Sequence, residues 1–132
     1  MREILFRAKR KDTGEWVEGY YVGITAENTH EKHSIISINN AIEFEVVPET
    51  VCEFTGLKDV DGKRIFEHDT VTVFSKYYNE WIKGQAEVSF SYEYVGGWVF
   101  KDLLSREYAS LGIHTDIVRV NGSIFDTPEL LN

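Results

Sequence analysis

Ala86-Glu87-Val88-Ser89-Phe90-Ser91-Tyr92-Glu93-Tyr94 alternates apolar or aromatic residues with Glu and Ser at a period of two. A strand puts such a series on one face, so this stretch predicts an antiparallel sheet with one side buried and the other wet. Gly96-Gly97 then turns the chain into Trp98-Val99-Phe100, completing a hairpin. Upstream, Thr70-Val71-Thr72-Val73-Phe74 is a second run of strand formers.

The same pattern extends toward the N-terminus. Ile4, Phe6 and Ala8 alternate with Leu5 and Arg7, Asp12-Thr13-Gly14 supplies a turn, and Trp16 to Val22 is rich in strand formers, which predicts a first hairpin. Polar residues from Ala26 to His33 form a loop tip. Ser34 to Ile38 and Ala41 to Val47 then flank Asn39-Asn40, a pair able to take the positive φ angles of a tight turn, and make a second hairpin. Pro48-Glu49-Thr50 breaks the pattern. The expected division is an N-terminal hairpin region, 1–50, and a C-terminal region, 51–132, the two sharing one continuous domain or forming two.

Toward the C-terminus, Leu103, Leu104 and Tyr108 have roughly helical spacing, which predicts a short helix within 101–110. Asp116 to Val120 reads as a last strand, Asn121-Gly122 as its turn and Ser123-Ile124-Phe125 as a return. Thr127 as N-cap, Pro128 at the first helical position and Glu129 in the first turn predict a closing helical turn. The fold class is therefore mostly β, coiled antiparallel sheets and hairpins with short helical pieces only.

Composition agrees. The 132 residues include 51 β-favouring Val, Ile, Thr, Tyr, Phe and Trp against 13 Ala, Leu and Met. The net charge of -8 argues against a whole-surface nucleic-acid binder, which needs bases to neutralise phosphates. It averages a first strand of +4, with Arg2, Arg7, Lys9, Arg10 and Lys11 against Glu3, and a remainder of -12. The single Cys52 excludes an internal disulfide framework and a Cys-rich zinc site, and no apolar run reaches the roughly 20 residues of a membrane span. A cytoplasmic protein with no membrane partner is expected.

No constellation of catalytic residues stands out. His30-Glu31-Lys32-His33, beside Glu27, lacks the four-residue histidine spacing of a zincin helix and reads as a solvated loop tip. Asp59, Asp61 and Gly62 lack the remaining ligands of a calcium loop and read as a turn. Cys52 has β-favouring neighbours and no activating His, which suits a buried structural thiol. Glu67 and Asp69 are conceivable as an acid/base pair, but their context before a strand suits turn capping better. Tyr77, Tyr78 and Trp81 among lysines could stack single-stranded bases, or pack within their own hairpin loop.

Thr50 to Val71, with Thr55-Gly56-Leu57, Asp59, Gly62, Ile65, Glu67 and Asp69, resembles the YopX family of phage and prophage proteins. Arg2 to Ala8 and Val118 to Leu131 agree in the same order, so the resemblance spans the chain. His68 and Asn121-Gly122 depart from it, the family usually showing Glu-Gly-Asp and Ile-Gly-Asn there. Glycine tolerates backbone angles that His68 resists, so the first departure bears on the turn before Thr70. The resemblance implies coiled sheets with an SH3-like barrel in the C-terminal part and a tendency to oligomerise. It implies no enzyme activity, cofactor, metal or catalytic residue. A non-enzymatic phage accessory protein, an oligomeric module binding a host or phage macromolecule, is the leading expectation. The alternatives are a nucleic-acid binder using Arg2, Arg7, Lys9, Arg10, Lys11, Tyr77, Tyr78 and Trp81, or an acidic mimic of nucleic acid acting on a host protein.

Overall fold

Side chains that alternate along a strand bury one row and leave the other wet, and strands in each part of the chain do so around a cluster of buried apolar residues. A computed structural model describes residues 4–24, 31–75, 80–91, 97–102, 108–110 and 118–126. The chain divides into two units, Met1–Phe54 and Thr55–Asn132. Among the described residues the one helical piece is a 3₁₀ turn at Pro48–Thr50.

The first unit contains β1 (Phe6–Lys9), β2 (Trp16–Ile24), β3 (Lys32–Ser37) and β4 (Glu43–Glu45), and β5 (Cys52–Lys58) begins in it. Their antiparallel order is β4-β3-β2-β1-β5, and β6 (Arg64–Phe66) follows β5 in the same sheet. The end of β1 also reaches the residue after β4. Arg10 and Val46 form an antiparallel bridge, flanked by Lys11 N–H donating to Glu45 O and Val47 N–H to Lys9 O, each at 2.9 Å. The run from β1 to β4 thus curls back on itself around Ala8, Val17, Ile35 and Val46, with Phe6, Phe44 and Val51 packed against them. Gly19 is needed where β2 meets β3, since a Cβ there would lie 1.9 Å from the Ile36 carbonyl oxygen.

Both expected N-terminal hairpins form, but the second turn distributes its roles differently. Ala41, not Asn39 or Asn40, takes the positive φ, at 60°. Asn40 instead accepts the Ile42 N–H through Oδ1 at 3.1 Å, an asparagine side chain standing in for a backbone acceptor.

The second unit holds β7 (Asp69–Ser75), β8 (Glu80–Ser91), β9 (Gly97–Asp102), β10 (Tyr108–Ser110) and β11 (Val118–Ser123). Their order is β10-β9-β8-β7-β11, all neighbours antiparallel. Ala86 and Val88 from the alternating run join Ile65, Val71, Phe100 and Val118 in the core, with Leu57, Val73, Trp98 and Val120 against it. Phe90 is 40% exposed and meets Trp98 edge-on at 5.2 Å. Ser91 pairs with Gly97, so the β8–β9 hairpin forms as expected; its turn lies outside the described residues.

Three expectations change. The described residues of the segment expected to be helical are strand, 101–102 ending β9 and Tyr108–Ser110 forming β10, with Tyr108 opposite Lys101 and Ser110 opposite Val99; residues 103–107 lie outside the described residues. Pairing with a neighbouring strand outweighs a weak helical spacing too short to nucleate alone. Asn121-Gly122 is not a turn. Strand β11 runs through it, with a bulge between Val120 and Gly122 that keeps Ser123 opposite Asp69. Among the described residues no pairing joins β10 to β11, so the C-terminal sheet is open where the resemblance implied a barrel. The helical turn expected at Thr127 to Leu131 lies outside the described residues.

Candidate partner-binding surface

Alternation along β1 puts Arg7 and Lys9 on one side, and the register places Lys9 opposite Trp16. The Arg7 guanidinium lies 4.5 Å from the centre of the Trp16 ring and the Lys9 ammonium 5.4 Å from it, both within cation–π range. Arg10, on the other row, lies 4.1 Å over the Phe44 ring. It also donates twice to Asp12, at 3.0 and 2.8 Å. The hydrogen bonds to Asp12 raise the Arg10 pKa, and those from Arg10 lower that of Asp12. Lys11 pairs with Glu45 at 3.0 Å, and Lys32 with Glu43 at 3.4 Å.

Two cavities open beside these residues. One of about 350 Å³ is lined by Arg10, Glu15, Trp16, Glu18, Asn39 and Phe44, among others. The other, about 320 Å³, lies between Lys11, Asp12, Glu43, Phe44 and Glu45. Phe44 lines both. They sit at the lower end of ligand-pocket volumes and mix aromatic with charged walls.

Of the expected contact residues, Arg7, Lys9, Arg10 and Lys11 thus gather in the first unit. Arg2, Tyr77 and Tyr78 lie outside the described residues, and Trp81 belongs to β8, opposite Phe74. Sequence reasoning missed Phe44 because its partner Arg10 is brought to it only by the bridge to Val46. The β3–β4 alternation, which faces Phe44 inward with Ile35, was the available signal.

Tyr21 and His33 are hydrogen-bonded through the phenol oxygen and Nδ1, and His33 Nε2 is 3.3 Å from Glu31. Among the described residues no group of three or more His, Cys, Asp or Glu could hold a metal ion; Glu27 and His30 lie outside them. Cys52 is buried, its Sγ–H donating to the Thr50 carbonyl at 3.1 Å.

The motif from Thr55 to Asp69 builds turns. Thr55 Oγ1 donates to Ile65 O at 2.7 Å and accepts from Leu57 N–H at 3.1 Å. Gly56 and Gly62 take φ of 84° and 82°. The buried Asp59 accepts from Asp61 N–H and Lys63 N–H through Oδ1, each at 2.9 Å. Its Oδ2 accepts from Val120 N–H at 2.9 Å, while Val60 N–H donates to Val118 O at 3.1 Å. The turn therefore covers part of the β11 edge, satisfying strand groups that would otherwise invite another chain.

Asp69, fully buried, accepts from Phe66 N–H at 2.8 Å. Between it and Glu67 stands His68, at φ 67°. Its Nδ1 lies 2.7 Å from Glu87 Oε2. That hydrogen bond raises the His68 pKa, opposed by burial and assisted by the charges of Glu67, Glu87 and Asp69. Glu67 thus belongs to a charge cluster and Asp69 to a cap.

Comparison with known proteins adds the relationship. The structure is similar to the crystal structure of protein EF1440 from Enterococcus faecalis, with a TM-score of 0.54 and 23% identity over 100% of both chains, a likeness of fold. The search of curated proteins found no match. The family model described as YopX protein matches residues 5–132, taking in β1, the Thr55 to Asp69 turns and β11 in one register. With nearly the whole chain inside that match, the protein belongs to the YopX family.

Proposed function

We propose that this chain is a phage-encoded, non-enzymatic accessory protein, an oligomeric module that binds a host or phage macromolecule in the bacterial cytoplasm through its N-terminal unit. Strands β7 to β11 would supply part of the SH3-like barrel implied by the resemblance, which the described residues alone do not close. The observation that carries the binding reading is the set of cations laid over aromatic rings, Arg7 and Lys9 on Trp16 and Arg10 on Phe44, beside two cavities. Aromatic residues and arginine are the side chains that anchor protein interfaces.

A protein partner suits this surface better than nucleic acid. Two of the five N-terminal bases, Arg10 and Lys11, already pair with Asp12 and Glu45, which leaves fewer charges to neutralise phosphates. Immobilised wild-type chain and a Trp16→Ala/Phe44→Ala variant, exposed to host lysate with and without phage proteins, test the reading. The expected result is a discrete partner lost in the variant and resistant to nuclease; an identical set from both chains would refute it. Nuclease-sensitive, salt-sensitive retention would favour the nucleic-acid alternative. Size-exclusion chromatography with light scattering tests the oligomer, a strict monomer at micromolar concentration counting against it.

A further inference from the structure

His68 is where local backbone preference and residue identity conflict most. Its φ of 67° lies in the left-handed region, costly for most side chains. Both its backbone groups are held: its N–H donates to Val88 O at 2.7 Å, and its C=O accepts from Ile124 N–H at 2.9 Å. The ring is 2.7 Å from Glu87 on β8, 3.9 Å from Glu67 and edge-on to Phe125 at 5.5 Å. Asp69 adds a third carboxylate from β7, and Lys101 on β9 stands opposite Glu87. With 34% of the side chain exposed, solvent protons reach the ring.

We propose that His68 is a proton-operated latch, whose imidazolium form holds the β6–β7 turn to β8 and to the chain following β11, and whose neutral form releases that hold. The imidazolium faces the carboxylates of Glu67 and Glu87, with the charge of Asp69 nearby. Losing the proton removes one of the charges that compensate them and leaves the left-handed backbone opposed by weaker side-chain contacts. The hydrogen bond to Glu87 lifts the His68 pKa above its ordinary 6.5. The latch therefore contributes fully below that value and is lost as pH rises through the higher folded one. Release loosens Ile124, 2% exposed, whose amide is tied to His68. The device lies in the second unit and is independent of the binding reading above.

The test follows the His68 ring by NMR and the Ile124 amide by hydrogen exchange in the full chain, from about pH 5 to about pH 9, corrected for intrinsic exchange. The wild type should show a ring midpoint above 6.5 and an Ile124 protection that falls several-fold in step with it. In Glu87→Gln both transitions should move together to lower pH. In His68→Asn, which tolerates left-handed backbone without titrating, protection should stay flat. PH-independent protection in the wild type, an equal fall in His68→Asn, or a wild-type midpoint at or below the ordinary value would each overturn the latch.

Discussion

The turn at Asp59–Lys63 and the turn at Phe66–Asp69 each need one residue at positive φ and are each capped by a buried aspartate, yet one uses Gly62 and the other His68. At Gly62 nothing approaches within 4 Å of where a Cβ would stand, so the residue serves the backbone alone. At His68 the same backbone geometry carries a ring that reaches 19 positions along the chain to Glu87. A strained position that tolerates a side chain has turned that side chain into a tie between segments. It has also made the tie dependent on a proton.

The comparison can be broken most severely at the caps. Asp59→Ala leaves three backbone N–H groups without their acceptor, and a loss of about 3 kcal/mol or more is expected in denaturant unfolding. Asp69→Ala removes the acceptor of Phe66 N–H from a fully buried site, with an expected loss of about 2 kcal/mol by the same measurement. Equal losses would show that the three bonds accepted by Asp59 contribute no more than the cap made by Asp69.

The next pair sharpens the contrast between the residues at positive φ. Gly62→Ala should destabilise by about 1 kcal/mol, since alanine resists that φ in otherwise open space. His68→Gly should stabilise by about 1 kcal/mol in thermal or denaturant unfolding at alkaline pH, where the ring is neutral and the relief of strain outweighs its remaining contacts. The smallest effect is the pH dependence itself. In wild type the His68 contribution is present below pH 6.5 and fades as pH rises through its raised pKa. Unfolding measured across that range should lose this component in His68→Gly.

Much of the fold is legible in the chain. Ala86 and Val88 face the core as their alternation requires, and Asp12-Thr13-Gly14 turns where its residues favour turning. The position of His68 was legible too, once the motif around it called for glycine. Its partner was not, because nothing near Glu87 in the sequence marks it as the acid that will meet an imidazole. The pairing of Tyr108 to Ser110 with β9 was not legible for a related reason: a short helical spacing says nothing of a strand edge waiting to pair. Of the surface, Arg7, Lys9 and Trp16 could be placed on one hairpin by alternation. Phe44 and the cavities it lines could not.

What the residues determined by themselves is local: strands from β-branched and aromatic runs, turns from Gly, Asn and Asp, and membership of a family from an ordered motif. The tertiary structure alone decided which carboxylate caps which turn, which cation lies over which ring, and whether the C-terminal sheet is open or closed. Strand propensity and turn chemistry act between neighbours a few residues apart. Arg10 over Phe44 and His68 against Glu87 depend on where whole strands pair, and that register is set by burial of the two cores.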